Sequence, residues 1–545
     1  MEAKYQQLLT SLRTAFPQPV SDPVHDSYVV FSILRALDQV DAMKSQAPIL
    51  GHPQSPDYAA AAASRLEMNS RPLEEVVREL VRYLEGMFIW GHPRSQLNVI
   101  PVPSVASVIG VLLPALFNPN MCSDESALKF SEAEARVIAM AADLVGYDPA
   151  EAGGVFTFGG TGTLLYGVKI GLEKACPGAL QTGLCGDAVV LASTSGHYAN
   201  YTVAAWLGLG QDRVISVPAD DANAMDLAAL EAKAREALGA GRKIAAIVAT
   251  MGSTDAFGID DLAAICELRD RLVDDFELPY RIHVHADAVI GWAWSVFNDY
   301  DYAANELEFR GRTVRALAAA QHLICHLGLA DSIGIDFHKT GYVPYISSLV
   351  LFRRREDLNL ITRRRDTMPY LFQSGEHHPG MFTLETSRSA TGPMSALASL
   401  LLLGREGLRV LLGHAVEMSE VLREMIEAQP RLSVMNRDNV GPVTLFRVYP
   451  KDVDTFKVKQ REQHDKSYRD RLLAHNELNR QIYERVHAEA LAGSGVAISL
   501  TDCYRRTDYG DPINALKSYV LSPFADEGRM QSVLTHVLAA AGSGG

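Results

Sequence analysis

The sequence predicts an α/β protein whose central sheet is mainly parallel and is covered by helices on both faces. Short runs rich in valine, isoleucine and alanine alternate with helical stretches through the middle of the chain, which is typical of strands buried on both faces. The 545 residues supply enough material for a large core, and contents of 48% hydrophobic and 21% charged residues are ordinary for a globular protein. We therefore expect one main sheet, with further helical and α+β parts attached to it.

The predicted secondary-structure pattern changes at two places and divides the chain into three predicted parts. Residues 1–125 form an N-terminal helical segment, which includes the amphipathic stretch PLEEVVRELVRYLEGM at 72–87. Residues 126–394 form a large α/β domain, in which strands and helices alternate. Residues 395–545 begin with a long helical stretch broken by glycine and continue with strands and charged helices, which indicates a small α+β domain.

The predicted strands of the large domain are short apolar runs. They lie at residues 187–193, 213–218, 244–250, 281–287, 332–336 and 347–353. Ligands of open α/β sheets bind beyond the carboxyl ends of the strands. The residues at and after these strand ends are therefore the first candidates for a functional site.

Charge and cysteine patterns exclude several classes of partner. The net charge is −14, and the two RRR runs at 353–355 and 363–365 are too short for a nucleic-acid surface. Six cysteines are scattered without a CxxC pair, so neither a disulfide framework nor a metal site is expected. This cysteine usage favours a reducing compartment, and we expect a cytoplasmic protein.

The longest apolar stretch, residues 98–117, has about the length of a membrane span. Its three prolines and two serines favour a buried helix instead, with Ser104 as the N-cap. The first residues, MEAKYQQLLTSLRTAF, lack the apolar core of a signal peptide. No membrane is expected among the partners.

The stretch GIDFHKTGYVPYISSLVLF at 334–352 places Lys339 in the middle of an apolar run. Lysine is seldom buried unless it is paired or chemically engaged. One interpretation is a lysine whose stem is covered while its amine reaches solvent. The other is a reactive amine, and the neighbouring motifs bear on the choice.

A glycine-rich turn, FTFGGTGT at 156–163, separates a strand-like segment from a helix-like one. Backbone N–H groups and the positive end of a helix favour an anion at such a place. The candidate ligands are Gly160, Thr161, Gly162 and Thr163. A tight connection without a ligand is the alternative.

Three more polar residues stand at or just after predicted strand ends. Thr250 ends one strand and Asp287 ends another, while His197 follows a third. A carboxylate buried at a strand end must find a cation or hydrogen-bond donors, because an unpaired buried charge is very costly. His197 lies where a ligand would lie, although a structural role would also explain it.

Taken together, these residues meet the requirements of pyridoxal 5'-phosphate. The aldehyde needs a lysine, the phosphate needs a cradle, and the ring needs an aromatic partner such as a histidine. An aspartate paired with the ring nitrogen keeps that nitrogen protonated, so that the ring accepts electrons. The sequence predicts pyridoxal 5'-phosphate as the cofactor.

In order and in residue identity, the motifs also resemble those of the group II PLP-dependent amino-acid decarboxylases of fold type I. This family includes aromatic-amino-acid, glutamate and tyrosine decarboxylases. The motifs are HPRSQLNVIPVPSVASVIGVLLPALFNPN at 92–120, GGTGT at 159–163, SGHYAN at 195–200, HADA at 285–288 and DFHK at 336–339. The resemblance is clear over about residues 90–400 and extends by layout to the C-terminal domain. It implies a fold type I PLP-dependent transferase-like fold and the decarboxylation of an L-amino acid to a primary amine and carbon dioxide.

The resemblance assigns roles to individual residues. Lys339 would form the imine with the cofactor, and His338 would help to hold the phosphate. His197 would stack on the ring and take part in proton transfer. The family carries a mobile loop after its lysine, often with a proton-donating tyrosine, and the matching stretch at 363–378 nominates Tyr370. A packing role for this tyrosine stays open.

Two further implications concern the substrate and the partner chain. The segment LETSRSATGP at 384–393 nominates Arg388 for the substrate carboxylate or for a loop contact. The family also builds its active sites at the interface of a homodimer. The partners that we expect are therefore a small amino-acid substrate and a second copy of the chain.

Departures from the family pattern bear on the substrate. Val289 stands where an alanine usually packs on the ring, and WAW at 292–294 with Tyr342 and Tyr345 hints at an aromatic or large apolar substrate. The sequence does not identify the amino acid, since such residues also pack cores. A carbon–carbon lyase of the sphingosine-phosphate lyase type and a catalytically silent scaffold remain as alternatives, because one cofactor fold serves several reactions.

Overall fold

The computed structural model describes residues 4–13, 15–184, 186–368 and 371–542. Its N-terminal part is mostly helical, as predicted. The elements of this part are α1 (Lys4–Arg13), α2 (Pro23–Ala42), α3 (Tyr58–Ala62), α4 (Leu73–Arg82), β1 (Ser95–Gln96), α5 (Val105–Phe117), α6 (Asp124–Ala127) and α7 (Lys129–Val145).

The central part contains a sheet that, in the described residues, has seven strands in the order β2-β8-β7-β6-β5-β3-β4. Its elements are β2 (Gly153–Thr157), α8 (Gly160–Ala175), α9 (Ala179–Thr182), β3 (Ala188–Ser193), α10 (Ala199–Trp206), β4 (Val214–Val217), α11 (Leu227–Gly239), β5 (Lys243–Thr250), α12 (Leu262–Asp275), β6 (His283–Asp287), α13 (Gly311–Ile324), β7 (Ser332–Asp336), α14 (Phe337–Thr340) and β8 (Ser348–Phe352).

The sheet is mainly parallel and covered on both faces, which confirms the predicted fold class. Strands β3 to β7 pair in parallel, whereas β8 pairs antiparallel with both β2 and β7. The six strands predicted from the sequence are all present, within two residues of the expected bounds. Helix α8 lies against the neighbouring strands β5 to β8, while α7, α11, α12 and α13 contribute to the core on the other face.

The C-terminal part adds a second sheet in the order β1-β11-β12-β10-β9. Its elements are α15 (Thr391–Glu427), β9 (Leu432–Val434), β10 (Val443–Val448), α16 (Val458–His464), α17 (Arg469–Leu491), β11 (Ala497–Arg506), β12 (Pro512–Tyr519) and α18 (Glu527–Gly542). Helix α15 has a break at Gly404, whose φ of 58° is left-handed. Since α15 spans the predicted boundary at residue 394, the three-part division stays a proposal.

The apolar stretch at 98–117 forms α5 with Ser104 as its N-cap, and the Ser104 side chain accepts a hydrogen bond from the Ser107 N–H at 3.2 Å. The expectation that this helix is buried is only half right. One face packs on α15, but in the single chain Val105 is 76% and Phe117 is 80% exposed. In the described residues no helix is both long and apolar enough to cross a membrane.

Candidate active site

Four adjacent parallel strands bring the predicted site residues to one edge of the main sheet. In the order β7-β6-β5-β3, the carboxyl ends of these strands carry Asp336, Asp287, Thr250 and Ser193. Short connections then place His197 four residues after β3 and Lys339 three residues after β7. Since carboxyl ends of parallel strands meet at the same edge, the sheet itself assembles the constellation.

Lys339 lies on α14 with most of its side chain covered, and it is paired. Its Nζ lies 2.9 Å from Asp336 Oδ2, and the side chain is 16% exposed. Burial lowers the pKa of this amine, but the Asp336 carboxylate in contact with it, helped by Asp287, outweighs burial and raises the pKa above its ordinary value. Lys339 in this structure is therefore an ammonium group.

Asp287 ends β6 as a buried carboxylate. Among the residues that the structure describes, no lysine, arginine or histidine forms an ion pair with it, and a backbone hydrogen bond comes from Val289. Burial raises its pKa, and the more distant Lys339 and His197 only partly oppose that rise. A buried carboxylate of this kind calls for a cationic N–H donor, which a protonated pyridine ring would supply.

His197 is half-buried at the start of α10. The Ala199 N–H donates to His197 Nδ1 at 3.2 Å, so a neutral ring carries its proton on Nε2. Burial lowers the pKa of His197, and the nearby Lys339 adds to the effect, while Asp287, Asp336 and Asp255 oppose it. The ring is neutral at physiological pH, as suits a group that stacks on another ring.

The glycine-rich turn becomes the start of α8. Gly159 precedes the helix with a left-handed φ of 106°, and a side chain there would meet open space. No side chain caps the helix, so its first N–H groups have no side-chain acceptor in the described structure. This end of α8 suits the phosphate of the cofactor.

Gly162 and Thr163 behave differently from the expectation of four direct ligands. Thr163 is fully buried, and its hydroxyl donates to the Gly160 carbonyl at 2.8 Å. The N–H groups of both residues bond to the Gly159 carbonyl. The expected hydroxyl donor at Thr163 is therefore wrong, because that hydroxyl is used inside the helix. Gly160 and Thr161 are left as the candidate phosphate ligands of this turn.

Thr250 and His338 lie beside the same edge. Gly196 is the residue directly before His197, and a Cβ built on it would lie 3.2 Å from Thr250 Oγ1. The Thr250 N–H donates to Asp260 Oδ2 at 2.6 Å. His338 is buried with its ring 4.1 Å from that of Tyr345. Burial lowers the pKa of His338, so it is neutral.

Arg388 is engaged elsewhere through both of its terminal nitrogens. It forms a buried ion pair with Glu134 of α7, with Nη1 to Oε1 at 2.7 Å and Nη2 to Oε2 at 3.1 Å. Its guanidinium also donates to the carbonyls of Phe156 and Met121. The geometry gives Arg388 a positioning role between α7, β2 and the start of α15. The predicted proton donor, Tyr370, lies outside the described residues.

The aromatic cluster predicted to line a pocket is mostly core. Trp292 and Trp294 are fully buried, the first against Phe337 and the second against Phe257. Trp292 and Trp294 therefore line no pocket in the described structure. Tyr345, in contrast, is 54% exposed beside His338, and an aromatic substrate stays a prediction. Val289 does lie at the site, with one methyl group 3.1 Å from where a Cβ of Gly160 would be.

Two features of the site escaped the sequence argument. The first is Asp336, whose position three residues before Lys339 was a readable signal for an ion pair. The second is the pair of Lys517 on β12 and Asp255, with Nζ to Oδ1 at 2.9 Å, which joins the C-terminal sheet to the loop after β5. Since β12 follows the large domain by more than a hundred residues, no local pattern could show that contact.

Comparisons with known proteins agree with this geometry. The family model described as the pyridoxal-dependent decarboxylase conserved domain matches residues 56–449. An aspartate 1-decarboxylase of Aliivibrio fischeri is 25% identical over 426 residues, which are 74% of this chain and 70% of that protein. An L-2,4-diaminobutyrate decarboxylase of Rhizobium meliloti is 27% identical over 384 residues, 69% of this chain and 70% of that protein. Mouse CSAD in apo form superposes with a TM-score of 0.78 at 18% identity, over 95% of this chain and 99% of that one.

Proposed function

This chain belongs to the pyridoxal-dependent decarboxylase family, and from that premise we propose that the strand-end site around Lys339 is where its cofactor and its substrate meet. The protein is a PLP-dependent carboxy-lyase, which removes the carboxyl group of an amino acid as carbon dioxide. The match over 56–449 includes each of the motifs around the site. The lyase and scaffold alternatives have no comparable support.

The residues present fit pyridoxal 5'-phosphate. The observation that carries this conclusion is Asp287, a buried carboxylate without an ion-pair partner in the described chain, which lies at the same sheet edge as the largely covered Lys339. Asp287 would hold the proton on the ring nitrogen, and the first N–H groups of α8 with the Thr161 hydroxyl would hold the phosphate. Bound there, the cofactor would accept the electron pair left when the bond from Cα to the carboxylate breaks.

The other residues act on the substrate and on protons. Lys339 would hold the cofactor through its amine until the substrate amine replaces it. His197 would stack on the cofactor ring, which excludes water from that face. We propose that Tyr370 donates a proton to the substrate Cα. We also propose that Thr250 and His338 contact the cofactor and hold it in place. Arg388 would act on the site through its ion pair with Glu134 rather than by binding the substrate.

A homodimer is the assembly that we propose. In the single chain, α5 exposes Val108, Ile109 and Leu113 along one face, and α15 exposes Leu401 and Leu402. Contiguous apolar surface of this kind usually marks an interaction site. A second copy of the chain would cover it next to the active site. We also propose a cytoplasmic location, consistent with cysteines that are all free in the described residues.

The experiment that tests the function is a substrate panel. Purified protein loaded with pyridoxal 5'-phosphate is offered L-aspartate, L-2,4-diaminobutyrate, L-tyrosine and the other common amino acids, and carbon dioxide and amine are measured together. We expect equal amounts of both from at least one substrate. Lys339→Ala is the control, which should lose turnover and the visible imine absorbance while it keeps the fold. Carbon dioxide from no amino acid, or full activity in the variant, would contradict the proposal.

A further inference from the structure

Asp336 is the anionic neighbour of both Lys339 and the start of α8. Its side chain is 1% exposed, and Lys339 Nζ lies 2.9 Å from its Oδ2. The Ser348 hydroxyl donates to its Oδ1 at 2.5 Å. Its Oδ2 also lies 2.9 Å from where a Cβ of Gly160, the first residue of α8, would be. One buried carboxylate thus joins the reactive amine to the predicted phosphate cradle.

This carboxylate lies beside the cradle without filling it. The start of α8 has no side-chain cap, and the donors that Asp336 binds are Lys339 and Ser348. The helix therefore keeps its first N–H groups for an incoming anion. The charge of Asp336, however, stays next to that anion.

The charges that face Lys339 come from several elements. Asp336 ends β7 and Asp287 ends β6, and both raise the pKa of the amine, as does Tyr345 from the loop before β8. His338 Nε2 lies 3.5 Å from Asp336 Oδ2, and His197 stands across the site. Burial lowers the pKa of both histidines, so they are neutral. Lys339 and Asp336 form the ion pair at contact distance in this cofactor-free site, and Asp287 is a second acidic group near the amine.

A cofactor phosphate carries between one and two negative charges of its own near neutral pH. It must therefore bind beside a resident carboxylate. The Lys339 amine must also lose its proton before it can attack an aldehyde, since only the neutral amine is nucleophilic. The contact with Asp336 opposes that loss.

We propose that Asp336 is the counter-ion of the cofactor-free site: it holds Lys339 as an ammonium group and sets a fixed negative charge beside the phosphate cradle, so that it limits how fast and how tightly the cofactor loads. The inference rests on the cofactor site proposed above. It assigns to Asp336 a positioning role through Lys339 and through the charge of the cradle.

The first test titrates Lys339 in the cofactor-free protein. The rate at which acetic anhydride acetylates Lys339 is followed against pH by peptide mass spectrometry, in the wild type and in Asp336→Asn. The wild-type pKa should be at or above the ordinary lysine value of about 10.4. In the variant it should fall by about 1–3 units, the usual effect of a charge at contact distance, which gives about 10- to 1,000-fold more neutral amine at a given pH.

Ser348→Ala is the matched control, because it removes a hydrogen bond from the same carboxylate but keeps the charge. Its Lys339 titration should stay close to that of the wild type, whereas a merely structural role would shift both variants alike. An unchanged titration in folded Asp336→Asn overturns the proposal. Should that variant not fold, Asp336→Ser replaces it, and a wild-type pKa below about 9 overturns the proposal without any variant.

The second test measures inorganic phosphate by calorimetry on the same cofactor-free proteins near neutral pH. Removing one negative charge beside the cradle should tighten phosphate binding by about tenfold or more. Equal phosphate affinity in wild type and Asp336→Asn contradicts the proposal. A wild type that neither binds phosphate nor gains imine absorbance with pyridoxal 5'-phosphate would instead contradict the cofactor site itself, so the two failures are distinct.

Discussion

Lowering the pH from about 7 to about 5 should destabilise the fold through two histidines buried in the main sheet, His283 and His285 of β6. His283 Nε2 and His285 Nδ1 each lie 2.8 Å from the Ser332 hydroxyl. That hydroxyl has one proton, so it donates to one ring nitrogen and accepts the N–H of the other ring, and charging both rings would leave its own proton without an acceptor. His285 Nε2 has no partner in the described structure, so a charged His285 ring would bury an N–H at Nε2 without an acceptor.

Burial lowers the pKa of both histidines to about 3, and for His283 the nearby Lys174 adds to the effect. In the unfolded chain the ordinary value is about 6.5. Below that pH the unfolded chain binds protons that the folded chain does not bind, so the free energy of unfolding falls as the pH falls from about 6.5 toward 3. At pH 5 each histidine should cost about 2 kcal/mol, or roughly 4 kcal/mol together.

The assay is urea unfolding of the cofactor-free protein at the two pH values and at one fixed concentration. His285→Gln keeps an amide that can bond to Ser332 but does not titrate. Its loss of unfolding free energy between the two pH values should be about 2 kcal/mol smaller than that of the wild type. His322→Gln is the control, because this histidine of α13 is exposed and hydrated in both states. Equal losses in wild type and His285→Gln would refute the reasoning.

We expect four other outcomes. Burial raises the pKa of Asp260 to about 7, so the folded chain takes up a proton that the unfolded chain does not, and lowering the pH from 7 to 5 should stabilise the fold by about 2 kcal/mol through this group. Asp260→Asn lacks this gain and should lose more unfolding free energy than the wild type in the same urea assay. Asp287→Asn should retain pyridoxal 5'-phosphate less well in equilibrium dialysis; unchanged retention and turnover would mean that Asp287 does not pair with the ring nitrogen. Tyr370→Phe should lower amine formation by roughly 10²–10⁴-fold, with carbonyl product and ammonia appearing in part, and amine at the normal rate would leave Tyr370 as a packing residue. Ile109→Glu should shift sedimentation from dimer toward monomer, and an active wild-type monomer at assay concentration would exclude the dimer.

The sequence was sufficient for the parts of the site that the main sheet builds. Lys339, Asp287, Thr250 and His197 each stand at or near a strand end, and β-rich runs with period and length typical of buried strands mark those ends. The parallel sheet then brings them together without any further information. The order of the strands, which puts β8 between β2 and β7, could not be seen from the runs themselves.

What the sequence could not show depends on contacts between distant residues. Arg388 resembles a substrate ligand by its segment, yet its partner is Glu134, more than 250 residues earlier. Trp292 and Trp294 were compatible with a pocket or with a core, because aromatic side chains serve both and only tertiary packing decides. Thr163 kept the residue type of a phosphate ligand, but the helix turns its hydroxyl back onto the Gly160 carbonyl.

The two-residue strand β1 has a consequence for the order in which the protein can fold. Ser95 and Gln96 pair in parallel with Ala497 and Ile498 of β11, and the Ser518 hydroxyl donates to Gln96 Oε1 at 2.6 Å. About 400 residues separate β1 from its partner strand β11. At a synthesis rate of about 5–20 residues per second, β1 therefore has no partner for roughly 20–80 seconds of translation. Throughout that interval the apolar face of α5, which we propose a second chain covers, is exposed as well. A nascent chain of this protein is therefore exposed to aggregation for longer than its local helices alone would suggest, and its yield in a cell should respond to the supply of chaperones.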